Sequence, residues 1–536
     1  MIKNNKIFIA LIIGILVFCL IGIPFTNWWF NGCDDFGGVY IGFVTKTWRD
    51  LLYFFINGQI NQAPGPSNIA NYHDIVLSFF GAYYRPFYLI FLAIQYWIFG
   101  LNAYAYFLCN VFFHAVNTAL LFIIFSWIIE LIPAIFVALL FAFHPQIGYR
   151  FGAIVNLHYY VSVTCLLGLL IMYKRYLDSG KTWMYWAACC LYTVSLFTRE
   201  SSIVFPAILT LGTYLYLNKA TLFTAIKKTG VFWGITFLFL LLRLELFPVH
   251  LTTAKSPVWA TILHAKLGEF MVFLYDAFWF SWLPWGHPLV RGMLLITALG
   301  IVSYLFVINT RKKFLLFFLI SAAFMLWPAY VGCYSPRYIY EALPFILLFF
   351  IGCFAWAPRD FSKMRNRGWL ALGIMTVFFI LLTVDNLHRR EQKMTIIATA
   401  LYKLTTVPNI TTRPLYLLSY PMDGLGDQPT DIIRVMLKNP HALIYVTRTS
   451  AYVQKNAHII TPTSWRNVIS DYYHENFATI TPTKNGFWYQ ITDPNKIYFM
   501  TQEDKHDFII QIDKGILDKD PLFLHWDTDT QSFKIV

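Results

Sequence analysis

Apolar runs fill the first part of the chain at intervals too regular for a soluble core. Stretches near the ~20 residues that span a bilayer lie at 7–25, 86–101, 103–128, 157–173, 183–198, 201–217, 229–247, 289–308, 314–331, 338–356 and 369–384. They predict a polytopic helical bundle. Two stretches fit less simply. Residues 131–156, broken by Pro133 and by His144-Pro145, predict two short half-spans or none. Residues 266–285 carry Glu269 and Asp276 on one helical face, followed by Trp279, Trp282 and Trp285, as an interfacial or re-entrant helix would. After the first run, Ile41, Val44, Trp48, Leu51 and Phe55 recur at helical spacing while Lys46, Arg49 and Asp50 face the other way. That pattern describes a helix lying in the membrane surface, and the turn Ala63-Pro64-Gly65-Pro66-Ser67 follows it.

Beyond Val384 the pattern changes. Pro414–Leu418, Ala442–Val446 and Lys496–Met500 read as buried strands and Asp431–Leu437 as a short helix. The expected fold class is an all-α polytopic membrane bundle of about 11–13 transmembrane helices over residues 1–384. A small α/β domain is expected at 385–536.

Composition sharpens this division. The chain is 58% hydrophobic and 13% charged, with mean hydropathy +0.55, against about 25% charged for a soluble domain. Residues 1–384 hold 25 Lys/Arg and 12 Asp/Glu, and the remainder holds 16 of each, so the whole +13 excess belongs to the membrane part. It sits in short loops at alternate junctions: Lys174/Arg175/Lys181, Lys219/Lys227/Lys228, Arg311/Lys312/Lys313 and Arg359/Lys363/Arg365/Arg367. Such clusters mark the cytoplasmic side and do not suggest a nucleic-acid partner. They put loops 26–85, 199–200, 248–288 and 332–337 outside and make the tail extracytoplasmic. Six of the eight cysteines fall in apolar runs, leaving Cys33 and Cys333 as the one loop pair and no disulfide framework. The first run, without a small-residue cleavage site, reads as a retained anchor.

Few acids remain in the membrane part, and two of them, Asp34 and Asp35, are adjacent just past the outer end of the first run, in Trp28-Trp29-Phe30-Asn31-Gly32-Cys33-Asp34-Asp35-Phe36-Gly37-Gly38. Two carboxylates at a membrane surface can deprotonate an acceptor hydroxyl, hold a divalent metal or stabilise an oxocarbenium-like centre. They can equally form a solvated turn that caps a helix. His73-Asp74, His144 and His158 would lie near the same surface, so a divalent metal shared with the acid pair is an alternative, though no ligand spacing supports one. Arg85, Arg199, Arg243 and Arg337 stand at outer span ends, where topology disfavours cations unless an anion offsets them. A lipid phosphate would do so. The plainer reading pairs Arg199 with Glu200 and Arg243 with Glu245 and lets Arg85 and Arg337 snorkel to headgroups.

An Asp-Asp pair in the first outer loop resembles the signature of the GT-C glycosyltransferases, polytopic enzymes that take sugars from polyprenyl-phosphate lipids. Tyr84-Arg85-Pro86-Phe87, Phe99-Gly100-Leu101-Asn102, His114 with Asn117, Phe143-His144-Pro145, Thr198-Arg199-Glu200-Ser201 and Pro336-Arg337-Tyr338-Ile339-Tyr340 resemble the protein O-mannosyltransferase-like branch, in its order, over about residues 20–345. The stretch after His-Pro, Gln146-Ile147-Gly148-Tyr149-Arg150, lacks the acid common in that branch, and Arg199 stands where a Lys is usual. No tetratricopeptide repeats follow.

The resemblance implies a GT-C-like membrane glycosyltransferase that moves a sugar from a polyprenyl-phosphate-linked donor to an unidentified acceptor on the extracytoplasmic face, inverting the anomeric centre. Asp34 would be the general base and Asp35 its support; Arg85 or Arg337 would receive the donor phosphate, with His73, Asp74, His144, Arg199 and Glu200 in support. Besides the donor, membrane lipids are the expected partners, and the lack of repeats and the single Asn409-Ile410-Thr411 sequon lean toward a bacterial inner membrane. A transporter or flippase of lipid-linked sugars is the rival from another class, and a non-catalytic scaffold a third. The transporter would need ionisable residues at the midplane of several spans, whereas most acids here lie at span ends.

Overall fold

The computed structural model describes residues 2–30, 33–57, 84–144, 153–217, 221–246, 288–309, 311–331, 339–356 and 362–410, and in the tail 413, 415–417, 429–438, 444–446, 478–482, 496–503, 506–513, 522–527 and 532–535. The helices begin with α1 (Ile2–Gly22), α2 (Cys33–Val44), α3 (Trp48–Asn57), α4 (Pro86–Phe99) and α5 (Ala103–Ile128). Next come α6 (Leu131–Ala142), α7 (Leu157–Ser179), α8 (Thr182–Thr198), α9 (Phe205–Tyr216) and α10 (Leu222–Leu246). α11 (Pro288–Ile308), α12 (Lys312–Val331), α13 (Ile339–Ala355) and α14 (Ser362–Thr405) complete the bundle. Among the described residues, five segments are long and apolar enough to cross a membrane: Asn5–Gly22, Ala103–Ile128, Ile154–Ser179, Leu222–Arg243 and Leu372–Gln392. Their outward faces carry large apolar side chains such as Phe8, Phe112, Phe237 and Leu381, as a lipid-facing surface requires. The chain is an integral membrane protein.

Polar contacts fix which way each helix runs. Lys6 Nζ donates to Ser126 O at 2.7 Å, and Tyr104 hydroxyl to Gly22 O at 3.1 Å, so α5 is antiparallel to α1 and starts at the far end of α1 from Lys6. Lys174 lies over the Trp127 ring and Lys228 over Tyr176, while Asn309 bonds the Gly352 and Cys353 carbonyls. The basic residues Lys6, Lys174, Lys228 and Arg311 thus gather at one end of the bundle, the Lys6 end; Asp35 lies at the other.

This revises the expected spans. The apolar runs predict 86–101 as the second crossing and 103–128 as a third that leaves the basic side. Instead α4 lies beside α2 at the Asp35 end, where Gly38 faces Leu92 and Gly42 faces Tyr96, and α5 descends from there. A Cβ on Gly42 would come 2.2 Å from Tyr96 Cβ, so the close approach of α2 and α4 depends on that glycine. The return crossing is α6, in the stretch expected to hold two half-spans or none. At its end Ala142 O meets His114 of α5 and Phe143 O accepts from Thr383 of α14, and the chain then regains the Asp35 end at Ala153, beside Asn110. One crossing is exchanged for another, so every later helix keeps its direction. Hydropathy could not separate the two: α4 is as apolar as a span, and α6, at 12 residues, is short for one.

The surface segment also differs from the single helix expected over Ile41–Phe55. It breaks into α2 and α3 at Thr47, whose hydroxyl accepts the Asp50 N–H while Asp50 Oδ2 accepts the Lys46 and Thr47 N–H groups at 2.9 and 2.7 Å. This is a reciprocal cap. Burial pushes the Asp50 carboxyl up, but these hydrogen bonds outweigh it and hold it below the usual carboxylate value. The cap is therefore present at neutral pH and is lost as pH falls through the carboxylate range.

α14 is 44 residues long, about 66 Å at the α-helical rise, twice what a bilayer core needs. It runs past residue 385 without a break. Beyond it, β1 (Leu415–Leu417), α15 (Pro429–Met436) and β2 (Ile444–Val446) form a parallel strand–helix–strand unit, and β1 pairs on its other side with β6 (Leu522–Asp527), itself antiparallel to β7 (Ser532–Ile535). β3 (Ala478–Pro482), β5 (His506–Asp513) and β4 (Lys496–Glu503) form a separate antiparallel sheet. Ile432, Ile433 and Val435 of α15 join a core with Phe36, Val39 and Phe43 of α2, which seats the tail on the helix that carries the acid pair.

The exchanged crossing has a direct test. Single cysteines at Asn102→Cys and Glu130→Cys, probed in sealed vesicles with a membrane-impermeant thiol reagent, should label from opposite sides, with Glu130→Cys on the same side as the Lys6 end.

Candidate active site

Cys33-Asp34-Asp35 form the first turn of α2, where free N–H groups and the positive end of the helix dipole favour negative charge. Asp35 is buried, 1% exposed, and its Oδ1 accepts the Val155 N–H at 3.2 Å. Val155 sits in a tight 3-10 turn, Ile154–Asn156, that leads into α7. Just before it, the Ala153 carbonyl accepts Asn110 Nδ2 of α5 at 3.0 Å. An acid of α2 and an amide of α5 therefore clamp the turn from two sides. Val155 O in turn bonds His158 Nδ1, and the His158 ring meets Tyr88 of α4 edge-on, with centroids 4.8 Å apart.

Two ion pairs lie alongside. Arg199 Nε is 2.7 Å from Glu341 Oε1 of α13, and Arg85 Nε donates to Glu200 Oε2 at 2.7 Å. The expected pairing of Arg199 with its neighbour Glu200 is thus replaced by two crossed pairs. The cause is local: Arg199 is extended, φ −158° and ψ 124°, so successive side chains leave on opposite sides of the chain. Arg199 turns to α13 and stacks on Tyr159, its guanidinium carbon 3.6 Å from the ring centroid. Glu200 turns to Arg85, before α4. Ser201 Oγ also donates to Glu341 Oε1, at 2.8 Å. The Arg199 and Glu341 side chains are 4% and 1% exposed. Such a pair needs good geometry and extra hydrogen bonds to repay its desolvation; Ser201 gives Glu341 one such bond, and the Tyr159 ring covers a face of the guanidinium.

Tyr340, beside Glu341, ties α13 to the bundle. Its hydroxyl lies 2.9 Å from both His114 Nδ1 and Asn117 Nδ2, and His114 Nε2 lies 3.0 Å from Ala142 O. A carbonyl only accepts, so Nε2 carries the proton, Nδ1 accepts from Tyr340, and the Tyr340 oxygen accepts from Asn117.

The expected site residues divide as follows. Asp35, Arg85, Arg199 and Glu200 come together at one end of the bundle, and His144 is buried after α6, near Phe379 of α14. The side chain of Asp34 lies outside the described residues, as do His73, Asp74 and Arg337, the segment 266–285, Cys333 and the side chains of Cys33 and Glu245. Glu341, Tyr159 and Asn110 complete the site and were not singled out from the sequence. Glu341 had a signal: it is the only acidic residue between Asp276 and Asp360, placed in an apolar run. Among the described residues no three His, Cys, Asp or Glu side chains gather as metal ligands, and Asp35 Oδ1 is already committed to Val155.

The fold and site define a polytopic helical membrane protein with an acid-bearing helix start set among crossed ion pairs. No protein-family profile matches the chain, and no curated protein matches it. Among solved structures it is similar to the crystal structure of ArnT from Cupriavidus metallidurans bound to undecaprenyl phosphate, with a TM-score of 0.46 and 12% identity, over 95% of this chain and 98% of that one.

Glu341→Gln removes the counter-charge of a buried guanidinium and should cost about 3–5 kcal/mol, seen as a lower thermal midpoint in detergent. The double replacement Arg199→Met with Glu341→Leu should recover most of the loss. A double variant as unstable as the single would show that the pair is not the cause.

Proposed function

We propose that this chain is a membrane glycosyltransferase that moves a sugar from a polyprenyl-phosphate-linked donor to an acceptor hydroxyl on the extracytoplasmic face. Residues 1–384 would form the catalytic membrane domain, with the first outer loop 26–85 at its centre, and 385–536 a small α/β extracytoplasmic domain in a bacterial inner membrane. The reading rests on the order of GT-C-like motifs and on one geometric observation, the commitment of Asp35. Its buried carboxylate is bound to the Val155 N–H, which suits a residue that fixes the start of α2. Asp34, about 100° further round the same turn, is then left as the general base.

In the proposed step the acceptor oxygen attacks the anomeric carbon while its proton passes to Asp34. The bond from that carbon to the phosphate oxygen breaks, and its electron pair leaves with the polyprenyl phosphate. Direct displacement inverts the anomeric centre. Arg85, held by Glu200 through Nε, and Arg337 would receive the phosphate, since a guanidinium matches phosphate geometry. Arg199 would act at one remove, by holding α13 through Glu341.

The test is transfer of labelled sugar from polyprenyl-phosphate hexose and pentose donors to membrane-extract acceptors by the purified protein. Asp34→Asn keeps the size of the side chain but cannot take the proton, so transfer should fall by at least the ~10²–10⁴-fold typical of a lost general base. Asp35→Asn still offers an oxygen to Val155 and should retain far more activity than Asp35→Ala. Equal loss in Asp35→Asn and Asp35→Ala, with Asp34→Asn active, would reverse the two roles. Full activity in all three would remove the site.

A further inference from the structure

The segment between α1 and α2 delivers the acid pair, and it is held from two sides, by α5 and by α14. Trp28 stacks on Phe107 of α5, with centroids 4.4 Å apart at 18°, and Phe30 packs on Tyr106 of α5 at 5.6 Å. The Asn27 backbone and the Trp29 ring meet the part of α14 that runs past residue 385. There the Asn27 N–H donates to Glu391 Oε1 at 2.8 Å, and Trp29 packs on Tyr402 at 5.3 Å.

Glu391 is the unusual member. It is 7% exposed, and its one ionisable neighbour among the described ion pairs is His388, 3.9 Å away on the same helix. Burying a carboxylate is costly unless it is hydrogen-bonded, and a span needs no acid there. What it reaches is a backbone N–H seven residues before Asp34, in a stretch without regular structure.

We propose that Glu391 is a positioning residue for the acid pair: its carboxylate pins Asn27, so that α14 acts as a strut holding the first turn of α2 in register with the Val155 turn. The inference rests on Asp34 and Asp35 being the catalytic pair. It gives the long helix a role in the reaction beyond joining the tail to the membrane.

Two readouts on the full-length protein separate this clasp from the function it serves. In hydrogen exchange, amides of residues 23–32 should exchange faster in Glu391→Ala and at the unaltered rate in Glu391→Gln, whose amide oxygen still accepts the Asn27 N–H. In the transfer assay, Glu391→Ala should lower kcat by about 10–100-fold, the scale of a small misplacement far from the chemistry. KM for the donor should stay unchanged, and Glu391→Gln should stay within a few-fold of the natural protein. Unaltered exchange in Glu391→Ala would overturn the clasp whatever the protein catalyses. Faster exchange with unaltered kcat would overturn the positioning role, as would equal losses in the two variants. No transfer by the natural protein, with the exchange result as expected, would instead count against the glycosyltransferase reading.

Discussion

A charge inside an apolar bundle must find its counter-charge within a few ångströms, because neither lipid nor packed side chains can solvate it. The buried pair of Arg199 and Glu341 meets that condition and sets much of what surrounds it. It fixes the start of α13 against the extended residue that ends α8. The same extended residue sends Glu200 the other way, to Arg85, and so ties α4 into the cluster. One φ/ψ choice at Arg199 thus decides which elements meet at the Asp35 end.

Around this ionic frame the neutral contacts fix finer positions. Asp35 and Asn110 hold the 153–156 turn, and that turn starts α7, which carries Tyr159 to the Arg199 guanidinium. Tyr340, His114 and Asn117 form a chain of hydrogen bonds whose donor directions follow from a single carbonyl acceptor, Ala142 O. The site is therefore assembled from helices far apart in sequence, each brought in by a polar group with a defined partner. The apolar packing that makes up most of the bundle has no such directionality; it supplies area, while these groups supply register.

Part of this arrangement is legible in the sequence. A bundle follows from apolar runs, and the acid pair stands out because acids are scarce in residues 1–384. Arg85, Arg199 and Glu200 are noticeable as charges at span ends. What the sequence hides is direction and partnership. The run 86–99 is apolar enough to span, yet it lies beside α2 because Gly42 lets the two backbones approach. Residues 131–142 look too short and carry Pro133, but Pro in the first turn of a helix costs no hydrogen bond. Arg199 beside Glu200 invites a local pair, and only the extended backbone rules it out. Glu391 reads as one charge among several after the last span, since its partner is a backbone N–H 364 positions away.

The central claim is that the Asp35 end of the bundle is where a polyprenyl phosphate meets the protein. An experimental structure of the protein in a lipid nanodisc with added polyprenyl phosphate tests it most directly. The account expects the phosphate at the Asp35 end, about 3 Å from Arg85 nitrogens and facing the first turn of α2. A phosphate bound among Lys174 and Lys228 at the opposite end, or none bound at all, would contradict it.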